Sequence, residues 1–537
     1  MSNISFLAYL PDPFGVHTPH YCLCSENDSP QTLSSRDISE YRGLIVTYEC
    51  VGLVDELRRA GFQPPRNLAD IMDAQRLCVG VPRDEGGERH WDLWTNLTPN
   101  FASAADAKLF KGVFQSRHER PERSVLAALL TEAVLAVRKL WTEIAGELAM
   151  SDELDRFLTV EVPVHSIFAY RQYAGICINR TLALDLIREI SEEKYEAYGR
   201  VASTIQKSPT GLNYWNVGEH LSNTDVAHLS DIEDGGRLRE AFKLAAFHSE
   251  FARTFLTYVD ATRDETIVRH ATGSRDRIHP VFRSMGTVTG RILVADPYLQ
   301  QLRRKWRGIV SPESDHKLVY LDYSQFEPGI VAFLSQDVGL IEAYNDGDVY
   351  VALSERVFGS PDYRSLSKKI YLAFCYGMSP EGIARLISGV RADGSELEAF
   401  RDAITGFFEA FPGLNRLRVE SKSALAASGH VSSLLGNRRY RTSKGSLNAK
   451  EQRWALNQRV QATASLIFKE ALIALAEVFD RRAILLPVHD AVLMQLECRD
   501  DFQSKVDVAT KIMENQFVAR CPGIRARVIA GPFSPNE

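Results

Sequence analysis

Two aspartates, Asp322 and Asp490, each close a short apolar run. Lys317-Leu318-Val319-Tyr320-Leu321 precedes the first, and Ile484 to Leu496 reads as two apolar strands meeting at His489-Asp490, a hairpin with an acid at its tip. Buried strands that end in carboxylates could set the two acids side by side although they are remote along the chain. Hard oxygen donors of this kind suit Mg²⁺, which takes one or two protein carboxylates and completes its shell with substrate phosphates. Two such ions about 4 Å apart stabilise both the attacking and the leaving oxygen of an in-line phosphoryl displacement. Taken alone, either aspartate is more often only the polar end of a strand.

Between them, Arg364, Lys368, Leu372 and Tyr376 recur at every fourth residue and line one face of a helix. A cationic face fits the phosphates of a nucleoside triphosphate, although an isolated helix of this kind is more often a solvated surface. Residues 303 to 307 read Arg-Arg-Lys-Trp-Arg, and Gly436 to Arg459 carries seven cations against the single acid Glu451. The whole chain has 63 basic and 69 acidic side chains, a net charge of −6, so its cationic character is local and lies in the C-terminal half.

These segments need a large scaffold, and 537 residues supply about three or four structural units. Hydrophobic residues at 45% and charged residues at 25% exclude global disorder. The eight cysteines show no Cys-x-x-Cys spacing, which predicts a reduced, cytoplasmic chain. Met1 to Phe6 lacks a basic stretch leading into an apolar run, and no 18-residue apolar segment occurs, so neither secretion nor membrane spanning is expected. The first 150 or so residues predict an α/β unit with helices at Cys50 to Ala60 and Ser124 to Ala149. Thr181 to Val201 predicts a long amphipathic helix, and residues 337 to 455 are helical in pattern, broken at Phe411-Pro412-Gly413 and at Gly436-Asn437.

Read together, the segments resemble the bacterial DNA polymerase I family, the family A polymerases. Asp322-Tyr323-Ser324-Gln325-Phe326-Glu327 is similar to motif A, D-Y-S-Q-I-E-L-R. Arg364-x-x-x-Lys368 with Tyr376-Gly377 is similar to motif B, and Val488-His489-Asp490 to motif C, V-H-D-E. Four further segments agree in order: Thr289-Gly290-Arg291 with Pro297 and Leu299-Gln300; Phe411-Pro412-Gly413; Gly436-Asn437-Arg438-Arg439; and Arg453-x-x-x-Asn457-x-x-x-Gln461. The resemblance covers about residues 160 to 537.

It implies an α/β multidomain fold, a right hand with an antiparallel palm sheet and helical fingers and thumb, preceded by a degenerate ribonuclease H-like 3′–5′ exonuclease domain. The implied parts are 1–155 (exonuclease-like), 156–278 (start of the polymerase domain and thumb), 279–336 (palm with motif A), 337–455 (fingers) and 456–537 (palm with motif C). By the same resemblance Asp322 and Asp490 would hold two Mg²⁺ ions, with Mn²⁺ able to substitute. Lys368 and Arg364 would hold the triphosphate, and Tyr376, Tyr350, Leu372 and Gln325 would belong to the same dNTP site. Glu327 stands at the steric-gate position that excludes a ribose 2′ hydroxyl. Arg291, Arg453, Asn457 and Gln461 would read the minor groove, Gln300 would contact DNA, and His489 the primer end. Arg303, Arg304, Lys305, Arg438 and Arg439 would touch phosphates.

Several family positions are altered. Ala491 replaces the Glu of motif C, Pro328-Gly329 replaces Leu-Arg in motif A, Leu372 replaces an aromatic, and Tyr350 replaces a triphosphate-contacting His. In the N-terminal part an essential metal-binding Asp falls on Leu53, no D-x-E occurs within the first 45 residues, and only Glu132 remains as a substitute ligand. The resemblance therefore implies a template-directed DNA polymerase, monomeric, working on primer-template DNA and dNTPs without proofreading, and without the 5′ nuclease domain of longer members. Two alternatives stay open at this point: a primer-template-binding protein with impaired catalysis, and a polymerase that accepts an RNA template.

Overall fold

The structure, a computed structural model, describes residues 4–12, 20–82, 92–116, 119–273, 276–388 and 394–535. Met1 to Asn3, the start of the segment read for a leader, lie outside the described residues. The N-terminal part is built on five strands in the spatial order Gln31–Leu33, His20–Ser25, Ile4–Leu10, Leu44–Thr47, Leu68–Asp70. The first three pair antiparallel and the last two join in parallel. The central strand, Ile-Ser-Phe-Leu-Ala-Tyr-Leu, is buried along almost its whole length, as a strand covered on both faces requires. One cover is the helix Arg123–Met150, whose Leu126, Leu129, Leu130, Ala133, Val134 and Val137 recur at helical spacing and are buried. The other expected helix runs Cys50–Arg59. Leu53, read from the resemblance as standing where a metal-binding Asp would be expected, is fully buried in this core.

The C-terminal part centres on an antiparallel sheet in the order Ile484–Val488, Ala491–Glu497, His316–Tyr323, Val528–Gly531. The helices Ala449–Phe479 and Phe502–Arg520 pack on it. The apolar run before Asp322 was read as a buried strand, but it alternates: Val319, Leu321 and Tyr323 are buried, whereas Lys317 and Asp322 are exposed. The strand runs one residue past Asp322, because Tyr323 is an anchor. Its ring stacks on Phe326 at 4.2 Å, both rings meet Phe517 edge-on, and its hydroxyl donates to the Met513 carbonyl at 2.7 Å.

Two long helices, Arg180–Ile205 and Glu250–Thr272, lie against each other in the region read as thumb. The shorter helix Gly235–Ala245 reaches from them to the region read as fingers, where Lys369 Nζ donates to the Lys243 carbonyl at 3.0 Å and Phe247 packs on Phe358 and Tyr363. The region read as fingers holds the helices Val338–Asp346, Val349–Phe358, Arg364–Cys375, Pro380–Ser388, Gly394–Glu409 and Pro412–Ser428. The break read at Gly436-Asn437 is a hairpin, His430–Ser433 with Gly436–Tyr440, and not a gap between helices. Its strands are short and carry Ser and Arg, so no apolar alternation marked them. The hairpin docks on the N-terminal part, where the Tyr440 amide donates to the Gly80 carbonyl at 2.8 Å.

The Pro328-Gly329 departure has a packing explanation. Both residues lie in the first turn of the helix Phe326–Ser335, where proline is tolerated because its missing N–H has no partner to lose. A β-carbon on Gly329 would come within 2.7 Å of the Tyr344 ring and 2.9 Å of Phe517. Gly329→Ala should therefore lower stability. The helix preference for alanine, about 1 kcal/mol, is outweighed by overpacking of about 1–3 kcal/mol. Urea unfolding of the two proteins checks the sign.

Candidate active site

The sheet brings the two acids together. Asp322 is paired across strands with Ala491, and Asp490 is the turn residue just before Ala491. The turn closes in two residues because His489 adopts a left-handed backbone, φ 58°, so that Val488 pairs directly with Ala491. Directly opposed Cβ atoms in such a ladder are about 5 Å apart and diagonal ones stay within reach of longer side chains, so the carboxylates share one corner of the sheet. The electrostatics agree. Loss of hydration and then the Asp490 charge push the Asp322 carboxyl above its ordinary range, while Lys368, Arg307 and Arg304 pull it back. Two hard oxygen donors that repel each other fit a divalent cation of the Mg²⁺ type, whose remaining ligands substrate phosphates would supply.

A second chain of contacts runs behind this corner. Arg291 Nη2 lies 2.6 Å from Glu327 Oε1 and 3.5 Å from Asp490 Oδ1. The Tyr376 hydroxyl donates to the other oxygen of Glu327, and Gln461 Nε2 donates to the Tyr376 oxygen at 3.4 Å. Residues from four separate sequence segments thus meet at Glu327. Burial pushes its carboxyl up, to about 7, against the pull of Arg291. Tyr376 caps the helix Arg364–Cys375 and is followed by Gly377 at φ 94°. A side chain on Gly377 would press on the backbone of Arg453 at 3.1 Å, so glycine alone fits there.

On the face of the Arg364–Cys375 helix, Lys368 and Arg364 are exposed and Leu372 is half-buried. Arg364 pairs with Asp348 at 2.6 Å and lies over the Tyr350 ring. Tyr350 itself does not present its side chain as the expectation had it. Its ring is buried against Tyr371, at 5.8 Å and nearly perpendicular, so it serves as a floor under Arg364. Gln325 is also turned inward: with φ 51° it starts the helix Phe326–Ser335, and its Oε1 accepts from the Val349 amide at 3.0 Å.

Among the expected DNA contacts, Arg453, Asn457 and Gln461 lie half-buried at a spacing of four along the helix Ala449–Phe479. Asn457 Oδ1 is buried without a hydrogen-bond partner in the protein, an orphan acceptor on this stripe. His489 is exposed at the hairpin tip, and loss of hydration holds its imidazole below the usual range. Gln300 is placed elsewhere, with its buried amide bridging the Val294 N–H and the Ile292 carbonyl. Arg303 is bound to Asp264 and Glu193, and Lys305 to Glu193. Asp264 is fully buried, and without Arg303 it would keep only the more distant Arg263, at 3.4 Å, so Arg303 is engaged within the protein. Arg304 is exposed and close enough to act on Asp322. Arg439 lies over Trp454 at 4.2 Å, and Arg438 faces a small cavity shared with Leu77, Cys78 and Glu147 of the N-terminal part.

One group at the corner was missed. Arg307 stacks over Phe533 at 5.0 Å, donates to the Leu302 carbonyl at 3.0 Å, and bears on both Asp322 and His489. Its only sequence signal was membership of the Arg-Arg-Lys-Trp-Arg cluster.

Comparison with known proteins adds the family. Residues 205–526 match the family model described as DNA polymerase family A. DNA polymerase I of Rhizobium leguminosarum is 26% identical over 486 residues, which are 86% of this chain and 42% of that protein. The thermostable DNA polymerase I of Thermus aquaticus is 26% identical over 527 residues, 91% of this chain and 57% of that protein. The chain thus spans about half the length of these curated relatives. Among solved structures, the polymerase domain of Pol1 from M. smegmatis, in complex with DNA primer-template and dNTP, shares the fold with a TM-score of 0.73 at 21% identity, over 98% of this chain and 94% of that one. No helix among the described residues is long and apolar enough to cross a membrane. With the motifs gathered at one corner and more than half of its length matched by the family model, the chain belongs to DNA polymerase family A.

Proposed function

We propose that this protein is a template-directed DNA polymerase that adds dNTPs to a primer 3′ end and does not proofread. The observation that carries the reading is the convergence of Asp322 and Asp490 on paired strands, with Lys368 close enough to offset their charge. Asp322 and Asp490 would hold the divalent cations, two Mg²⁺ ions with Mn²⁺ able to substitute. Bound there, such ions stabilise the attacking and leaving oxygens of a phosphoryl displacement.

The chain's own residues do the rest. Lys368, exposed on its helix, binds and neutralises or protonates the departing pyrophosphate. Arg364 is free to exchange partners, since an exposed pair such as Arg364–Asp348 is worth only about 0–1 kcal/mol and a triphosphate offers more charge. Glu327, locked between Arg291 and Tyr376, cannot swing aside and so fills the space a ribose 2′ hydroxyl would need. Arg453, Asn457 and Gln461 face the minor groove, where acceptors are similar for every correct pair. The buried aliphatic side chain at Leu53 supports loss of the exonuclease reaction, because it offers no metal donor.

Primer extension with Mg²⁺ and dNTPs tests the reading. Asp322→Ala and Asp490→Ala should each lower the rate by about 10³-fold or more, equivalent to ~4 kcal/mol of transition-state stabilisation, while primer-template binding persists. A wild-type protein that binds primer-template yet never lengthens it sinks the proposal. Glu327→Ala should raise ribonucleotide incorporation relative to deoxynucleotide by at least about tenfold, a difference of ~1.4 kcal/mol; an unchanged ratio removes the gate. A primer with a mismatched 3′ end should not be shortened by the purified protein, and shortening that follows the protein through purification would contradict the absence of proofreading.

A further inference from the structure

Arg291 reaches Glu327 and Asp490 from a tight turn, and the turn is held from behind. Within it, the Gly286 amide donates to the Arg291 carbonyl at 3.0 Å, the Gly290 amide to the Thr287 carbonyl at 2.9 Å, and the Arg291 amide to Thr287 Oγ1 at 3.1 Å. The turn begins at Met285, whose side chain is 2% exposed and sits in the apolar core of the N-terminal part, otherwise formed by residues Phe6 to Ala169. The Met285 carbonyl accepts a hydrogen bond from Arg76 Nη1, which comes from the helix Ile71–Val79 of the N-terminal part. Lys469, 1% exposed, closes the other side. Its Nζ lies 3.5 Å from Met285 Sδ and 2.6 Å from Glu161, which in turn holds Arg156 and, through it, Glu153. Gly290 backs onto the same ammonium, and a β-carbon there would stand 3.6 Å from Lys469 Nζ and 3.0 Å from the Asn437 amide.

We infer that Arg76 is a positioning residue for synthesis: by fixing the Met285 carbonyl it sets the turn that aims Arg291 at Glu327 and Asp490. The N-terminal part thereby holds the gate and one of the paired acids in place across a domain boundary, whatever its own chemistry. The inference rests on reading the Asp322–Asp490 corner as the polymerase site. Its geometric half stands on the turn alone.

The test compares wild type, Arg76→Gln, Arg76→Lys and a control, Arg36→Gln, which alters an exposed arginine of the same part. Hydrogen exchange at the Gly286, Gly290 and Arg291 amides should quicken about tenfold or more in Arg76→Gln, since their protection measures opening of this turn. Exchange should stay at the wild-type rate in the control and return towards it in Arg76→Lys, which can still donate to the carbonyl. In primer extension, Arg76→Gln should lower kcat about tenfold and raise the relative use of ribonucleotides, with primer-template affinity unchanged. Unchanged exchange in Arg76→Gln overturns the inference even if the protein polymerises. Quickened exchange with kcat and nucleotide selectivity unaltered overturns its link to synthesis. If wild type extends no primer at all, the proposed function fails, and the exchange data alone decide whether Arg76 sets the turn.

Discussion

The strand His316–Tyr323 pairs antiparallel with Ala491–Glu497, and that register puts two like charges into one corner of the sheet. Nothing in the hydrophobic effect favours the arrangement. Bringing anions together in a partly dehydrated cleft is unfavourable, and the upward push on the Asp322 carboxyl is the sign of it. The surrounding chain is organised around that repulsion. Lys368 from the helix Arg364–Cys375 and Arg304 and Arg307 from one short turn of helix bear on Asp322, and Arg291 approaches Asp490. The apolar packing that makes the register rigid lies on the opposite face, where Tyr323, Phe326 and Phe517 interlock.

The cations of this protein divide by what each would leave behind if it moved. Arg303, Arg156 and Lys469 neutralise buried carboxylates, and their charge is spent inside the fold. Arg364, Lys368 and Arg304 sit at the surface, where partners exchange at little cost. That difference separates structural cations from those available to a polyanion, even between the sequence neighbours Arg303 and Arg304.

The departures from the family pattern follow similar logic. Gly329 is small because two aromatic rings occupy its β-carbon space, and Tyr350 is aromatic because it packs on Tyr371 beneath Arg364. Both changes are absorbed by neighbouring packing and leave the paired acids in place. Ala491 is buried, and nothing in the structure explains its replacing an acid.

The sequence by itself determined the local pieces. Strand, hairpin tip and cationic helix face were legible from short-range periodicity, and the motif spacing with its resemblance indicated which acids, lysine and glutamate to expect together. It also marked Leu53 as unable to bind a metal, since that depends on side-chain chemistry alone. Tertiary structure decided which polar groups face the cleft. Gln300, Gln325 and Arg303 have the composition of ligand contacts, yet each is engaged within the protein: Gln325 and Arg303 by Val349 and Asp264, remote in sequence, and Gln300 by the nearby Ile292 and Val294, contacts that no hydrophobic periodicity encodes. Arg307 and the Arg76–Met285 contact were illegible for the converse reason: their effect comes from direction and distance between segments far apart in sequence, and a one-dimensional chain carries neither.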